Sequence, residues 1–496
     1  MILIKNANII DGSGSPAFSG EILIREDKIL DIGKNLKAKA DRVFDANGNY
    51  VIPGIIDINT DSDHYLTLFS DPEQESFLLQ GVTTIIGGQS GSSLAPILYG
   101  RLDSFKNWSR PKAFNTNWSS LEELFSNLKS KKLGVNFGTL TGYTTIRGDI
   151  LKSTNQDATL KELESIRQLF EKSLEDGSFG LSLGLSHIDS RLTGLREIKK
   201  LAEISFQDKR LISIQLRNNK DLILKSLKEA FELNGLLESN VLINNFKPIL
   251  GHEKEYGEAL SLFRNIKDQN INFDCHPSEW SLISIQSLFP DWLKNSASED
   301  FIKELSAPHN KALIKKEINN FNPHNFKIAH SSTLPHVTGQ TVEQYALDRN
   351  IDYKDAILHL AIKSRLELIL FSKNINVDYA IQALMLDSAI ISSNSPGFNL
   401  TKFEFLHEKI LNSFRAFFHF AAHSKLISLE KAVSKATSIP AKKLNLINMG
   451  SIKKGYSADL SILNKDFGVE SVFLNGKLAV ENGSVTKNLS GKILKR

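Results

Sequence analysis

The sequence predicts an α/β protein: a (β/α)8, TIM-like barrel, with a small β-sandwich domain formed by the N- and C-terminal segments and a helical insertion between barrel strands 7 and 8. Three observations predict it. Eight short apolar runs alternate with amphipathic stretches of helical period, the order of βα units around a parallel sheet. Both chain ends carry short alternating segments of β character separated by turn residues. The stretch between the seventh and eighth runs is much longer than the others, and long connections in compact domains are functional or carry structure of their own.

The 496 residues exceed what one small core organises, and leave room for a barrel of about 250 residues or more beside a smaller partner. Residues 1–53 form the first half of the β domain: "MILIKNANII", a Gly/Ser/Pro turn from Asp11 to Pro16, and "GEILIREDKILDIG" with period-two alternation. The barrel occupies 54–442. Its predicted strands are "GIIDIN" (54–59), "VTTIIGG" (82–88), "GVNFGTL" (134–140), "SFGLSLG" (178–184), "LISIQLR" (211–217), "VLINNF" (241–246), "INFDC" (271–275) and "AIISSN" (389–394). The insertion is expected at about 281–345, over the barrel mouth. Residues 443–496 complete the β domain, with Asn475-Gly476 between apolar runs as a strong hairpin signal.

Composition excludes several classes. Hydrophobic residues are 41% and charged residues 23%, near the globular average. A net charge of +4, from 60 basic and 56 acidic side chains, is no footprint for nucleic acid, which needs a clustered basic face. The single cysteine, Cys275, rules out an internal disulfide and a Cys-rich zinc site. The first residues break their apolar run at Lys5 and Asn6 and lack the features of a signal peptide. No stretch offers about 18 uninterrupted apolar residues, so no membrane partner and a cytoplasmic location are expected. An assembly with itself or with another chain is compatible with the sequence.

Catalytic residues of such barrels sit at the C-terminal ends of the strands. There the sequence places Asn59, Asp61, Asp63 and His64 after strand 1, Ser90 after strand 2, Gln215 and Arg217 at strand 5, Asn245 and Lys247 at strand 6, and Asn394 at strand 8. After strand 7 comes "DCHPSEW", in which Cys275, His276 and Glu279 are candidates for a nucleophile with its base. Adjacent strand residues point to opposite faces, which argues against Cys275 and His276 acting together. Asp61, Asp63 and His64 are an alternative metal cluster, weak because ligands on one short turn seldom complete a site. His330 and His336, in the inserted region, are read as structural.

The segments "VIPGIIDINTDSDHYL", "QGVTTIIGGQSGSSLAPI", "DGSFGLSLGL", "LISIQLRNN", "VLINNFK" and "GYSADLSIL" resemble the N-acyl-D-amino-acid deacylases (D-aminoacylases) of the amidohydrolase superfamily, almost end to end. The resemblance implies hydrolysis of a C–N bond in an N-acylated amino acid with zinc as cofactor. It also implies a His-x-His pair after strand 1, a bridging Cys after strand 2, single His ligands at strands 5 and 6, and an Asp general base closing strand 8. Those positions fall on Asn59 and Asp61, Ser90, Gln215, Asn245 and Asn394. The spacing from Gln215 to Asn245 fits the family without a gap. Arg217 and Lys247 fall where the family also carries basic side chains, and Tyr143, in "GYTTIR", takes the place of a family histidine.

Those exchanges decide the expected chemistry. Zinc takes thiolate, imidazole or carboxylate, and a neutral amide oxygen is a weak ligand for it. Of the six replacements only Asp61 keeps a charge, a set better suited to calcium or magnesium than to zinc. An amide at 394 takes no proton from water, and general-base help is worth about 10²- to 10⁴-fold. The sequence therefore predicts a non-catalytic protein that binds a small molecule, with an N-acylated amino acid as the class the resemblance implies, or that partners an active enzyme, with no cofactor. The alternative is a divergent hydrolase with a rebuilt site, using Cys275 and His276, or Asp61, Asp63 and His64.

Overall fold

The computed structural model describes residues 1–102, 104–105, 108, 116–151, 156–187, 190, 193–237, 239–265, 270–294, 298–318, 322–331, 333–400 and 407–496. Barrel strand 1 is Ile55–Asp57, strand 2 Val82–Gly87, strand 3 Asn136–Thr139 with its continuation Thr141–Gly142, and strand 4 Gly180–Gly184. Strand 5 is Leu211–Gln215, strand 6 Asn240–Asn244, strand 7 Ile271–Cys275 and strand 8 Ala389–Ile391. Each pairs in parallel with the next. Strand 8 meets strand 1 through the Asn394 amide donating to the Asn59 carbonyl at 3.1 Å and the Asp61 amide donating to Ser395 at 3.0 Å, which closes the cylinder.

The strands are buried on both faces, so they read as continuous apolar runs with little polar alternation. The pleat still sorts them. Ile56, Ile86, Leu140, Leu211, Leu242 and Ile390 fill one core cluster inside the cylinder, while Ile85, Leu181, Ile212, Ile243 and Phe273 pack in the larger core with the surrounding helices. Carried up strand 5, this alternation puts Ser213 and Gln215 on the same face as Leu211.

The chain ends meet in one nine-stranded sheet, where Leu460–Leu463 lies antiparallel to Tyr50–Pro53. Asn475 and Gly476 both have positive φ, 48° and 74°, as a tight hairpin turn requires. One face covers a small core of Ile4, Ile22, Val51, Leu460 and Phe473. The other contributes Ile52, Val472 and Val480 to the barrel's outer core.

Between strands 7 and 8 a separate body forms around its own core, which includes Phe289, Phe301, Ile314, Ile357 and Leu370. It contains helices, as expected, and also an antiparallel sheet of Trp280–Ser284, Leu368–Lys373 and Phe326–Ser331. Its last strand ends at Lys373, so the body reaches past residue 345. Among the described residues no helix is long and apolar enough to cross a membrane.

Candidate functional site

At the C-terminal end of the barrel, Asp274 ties four strands together. Phe273 and Cys275 face the outer core, so the pleat turns Asp274 inward. Its Oδ2 accepts from Asn59 Nδ2 at 2.8 Å and from Ser392 Oγ at 2.7 Å, and its Oδ1 from the Asn245 amide at 3.0 Å. Burial pushes its carboxyl up to about 6 despite these donors. Asn59 Nδ2 also reaches Asn394 Oδ1 at 3.3 Å. A second chain of amides runs beside it. Ser90 Oγ donates to Asn244 Oδ1 at 3.1 Å, Asn244 Nδ2 to Gln89 Oε1 at 3.0 Å, and Ser213 Oγ to the same Gln89 oxygen at 2.6 Å. Asn59, Ser90, Asn245 and Asn394 thus belong to two adjoining networks, and Gln215 stands in register with Asn244.

Three of these positions hold an unusual backbone. Ser90, Asn245 and Asn394 have φ of 53°, 52° and 45°, the left-handed region that asparagine tolerates better than other side chains with a Cβ. Asparagine at 245 and 394 therefore suits the backbone as well as the pocket.

Asp61, Asp63 and His64 form a different unit. His64 Nδ1 lies 2.9 Å from Asp61 Oδ1, and its Nε2 lies 3.1 Å from the Ser92 carbonyl. Both partners only accept, so both ring nitrogens must carry a proton and the ring is an imidazolium. Burial works against that charge, but Asp63 and Asp61 overcome it and push the pKa up to about 9. The ring also stacks on Trp108 at 4.4 Å, while Asp63 Oδ2 accepts from the Gly88 amide at 2.6 Å. Asp61 and His64 are thus tied to each other and Asp63 to the Gly88 amide, and a metal would have to displace a proton from His64.

A residue that the sequence reading did not single out completes the mouth. Lys409, in the helix Glu408–Ser424, is buried, and its Nζ donates to the carbonyls of Ser393 and Asn394 at 2.8 Å each and to Ser395 Oγ at 2.7 Å. Burial pulls its pKa down to about 7, while three acceptors use all three protons and hold the ammonium form. The buried Asp57 carboxyl accepts from the Ser393 amide at 3.2 Å, and burial pushes its pKa up to about 7.

What the networks leave unpaired defines the pocket. Asn59 Oδ1 and Asn245 Oδ1 are buried and have no hydrogen-bond partner among the described residues, while Gln215 faces the buried His187. For Asn59 the orientation is fixed, because only its NH2 can donate to Asp274. Lys247 is half-buried and makes no hydrogen bond or ion pair among the described residues; burial lowers its pKa, with Asp61, Cys275 and Asp274 opposing. The donor set is therefore neutral amide oxygens beside two lysines, with the one carboxylate of the replaced positions, Asp61, engaged by His64. Zinc takes thiolate, neutral imidazole and carboxylate, and this set does not fit it.

The remaining candidates fall elsewhere. Cys275 packs in the outer core, and burial pushes its thiol up to about 12, far from a nucleophilic thiolate. His276 lies 3.2 Å from the Trp280 carbonyl, and burial, then Lys409 and Lys247, hold it well below its ordinary pKa. Glu279 pairs with Lys373 at 3.0 Å. The pleat sends Cys275 to the outer core, away from the face that carries Asp274, so Cys275 and His276 do not meet as a nucleophile and its base in this structure. Arg217 is held by Glu229 through two bonds, at 3.0 and 2.7 Å, which spends the fork that a ligand carboxylate would need. Tyr143 is fully buried and donates to Glu197, a packing and positioning role. His330 and His336 are exposed.

Comparison with known proteins gives the same frame. The family model described as the amidohydrolase family matches residues 371–479. An N-acyl-D-aspartate deacylase of Alcaligenes xylosoxydans xylosoxydans is 24% identical over 487 residues, 97% of this chain and 89% of that protein. A crystal structure of D-aminoacylase, described as defining a novel subset of amidohydrolases, superposes with a TM-score of 0.80 at 21% identity over 100% of this chain and 99% of the other. An N-acyl-D-glutamate deacylase from Bordetella bronchiseptica, solved with zinc and a phosphonate inhibitor, gives 0.79 at 19% identity, covering 100% and 99%. The chain resembles the D-aminoacylases throughout and has their fold, an amidohydrolase barrel with a β-rich domain.

Proposed function

We propose that this chain is a non-catalytic protein on the D-aminoacylase scaffold, which binds a carboxylate-bearing small molecule of the N-acylated amino acid class at the barrel mouth and uses no metal. One observation carries the reading. Two buried amide oxygens without partners among the described residues, on Asn59 and Asn245, stand at the mouth with Lys247, which makes no hydrogen bond or ion pair among them, and the position of the general base that the resemblance implies carries the amide of Asn394. Unpaired buried acceptors cost free energy, and a ligand N–H would offset that cost. Lys247 supplies the charge for a carboxylate. Zinc and a general base, the two means of activating water that the resemblance implies, are both absent from this scheme. The single buried thiol is in keeping with a cytoplasmic protein.

The test is thermal stabilisation across a panel of N-acetylated D- and L-amino acids, because whatever binds only the native state raises the melting temperature. At least one member should raise it in the wild type, with no hydrolysis. Lys247→Ala should weaken that ligand roughly tenfold or more, the worth of a charge-assisted hydrogen bond, without lowering the melting temperature of the free protein. Steady hydrolysis of any panel member would overturn the reading.

A further inference from the structure

The opposite end of the barrel holds a cavity that the proposed function does not use. It lies around the N-terminal ends of strands 5 to 8 and has a volume of about 1010 Å³, ample for a small organic ligand. Among the described residues, Lys209, Arg210, Arg264, Lys442 and Lys443 line it with one carboxylate, Asp387, and Asp208 stands 4.0 Å from Arg210. Asp387 is exposed and already paired with Lys431.

The helices Leu195–Gln207, Glu253–Asn265, Val377–Met385 and Ser438–Lys443 all end here, and cations near helix C-termini answer the negative ends of the dipoles. That accounts for part of the set. Lys443 Nζ donates to the Asn270 carbonyl at 2.6 Å, and Arg210 to those of Ser178 and Leu174 at 3.1 and 3.4 Å. It does not account for Lys209, Arg264 and Lys442, which are exposed and make no hydrogen bond or ion pair among the described residues. One buried polar atom on the lining residues, Ser388 Oγ, has no hydrogen-bond partner among the described residues, and Arg210 Nε is met only by Asp208 Oδ2 at 4.0 Å.

We propose that this cavity is a second ligand site, for a small molecule carrying a phosphate group. Five cations against Asp387 on the lining, with Asp208 meeting Arg210, leave a net positive wall that calls for a multiply charged anion, and guanidinium and ammonium donors match phosphate oxygens. Phe206, Met385 and Ile439, on the same wall, give an organic part of the ligand an apolar surface to rest against. This site is independent of the barrel mouth.

Titration calorimetry with inorganic phosphate, pyrophosphate and adenosine triphosphate, all at matched ionic strength, tests it. Saturable binding of one molecule per chain is expected for at least one probe, with tighter binding of the nucleotide marking an organic phosphate and equal binding marking the free ion. Arg264→Ala combined with Lys442→Ala should weaken that probe roughly tenfold or more. Both side chains are exposed and unbonded, so the melting temperature of the variant should match the wild type. Lys247→Ala at the mouth should leave phosphate binding unchanged. No saturable binding of any probe, or binding lost with Lys247→Ala and kept in the rim variant, would overturn the proposal.

Discussion

Replacing His64 by alanine is expected to lower stability by about 3–5 kcal/mol, the usual cost of stripping one partner from a buried ion pair. The fully buried imidazolium is bonded to Asp61 and the Ser92 carbonyl, with the Asp63 carboxyl, itself pushed up by burial, adding to its stabilisation. Its loss leaves Asp61 without its cation and removes the ring stacked on Trp108. A urea titration of the two proteins at pH 6 gives the difference. The pH dependence carries a second signature. The folded pKa of about 9 lies above the ordinary 6.5, so between those values the folded state binds a proton that the unfolded chain releases. The His64 contribution is therefore complete below pH 6.5 and fades as pH rises through 9. The gap between wild type and His64→Ala should shrink over that window. A gap under about 1 kcal/mol at pH 6, the scale of an exposed pair, would contradict the imidazolium assignment.

Lys409→Met should cost about 3 kcal/mol or more. It keeps the length of the side chain but removes three hydrogen bonds at once, from the carbonyls of Ser393 and Asn394 and from Ser395 Oγ. Buried acceptors left without donors lose about 1–3 kcal/mol each. The damage should extend to binding, because this turn carries Asn394 into the pocket and its Ser395 carbonyl closes the barrel against Asp61. Lower urea stability together with loss of ligand-induced stabilisation is the expected result. Unchanged ligand binding in a destabilised variant would confine Lys409 to a structural role.

The barrel was legible in the sequence because buried parallel strands leave short apolar runs, and because an Asn-Gly hairpin and period-two segments mark the terminal sheet. The pocket was legible in part. Asn59, Ser90, Gln215, Asn245 and Asn394 stand at strand ends, and the geometry links Asn59, Asn245 and Asn394 through Asp274. Asp274 itself was in view beside Cys275, and the pleat that sends Cys275 to the outer core turns Asp274 inward. Lys409 left no signal. It follows Asn394 by fifteen positions on an amphipathic helix, and a lone lysine in such a pattern ordinarily runs its charge to solvent. Nor does any local pattern show that Glu229 would take the Arg217 fork, or that the Ser92 carbonyl would face His64 and fix its charge. These are meetings of distant segments, which periodicity does not encode.

The central claim is that an amide-lined, lysine-bearing pocket stands where related barrels hold metal. Elemental mass spectrometry of the purified protein, after exposure to excess zinc and removal of loosely held ion, tests it most directly. We expect zinc far below one ion per chain, because the replaced positions offer neutral amide and hydroxyl oxygens and an Asp61 engaged by His64, while Asp274, the other carboxyl at the mouth, is tied to Asn59, Ser392 and the Asn245 amide. Near-stoichiometric zinc that survives washing, and that is lost in Asp61→Asn, would contradict it and return the site to hydrolytic chemistry.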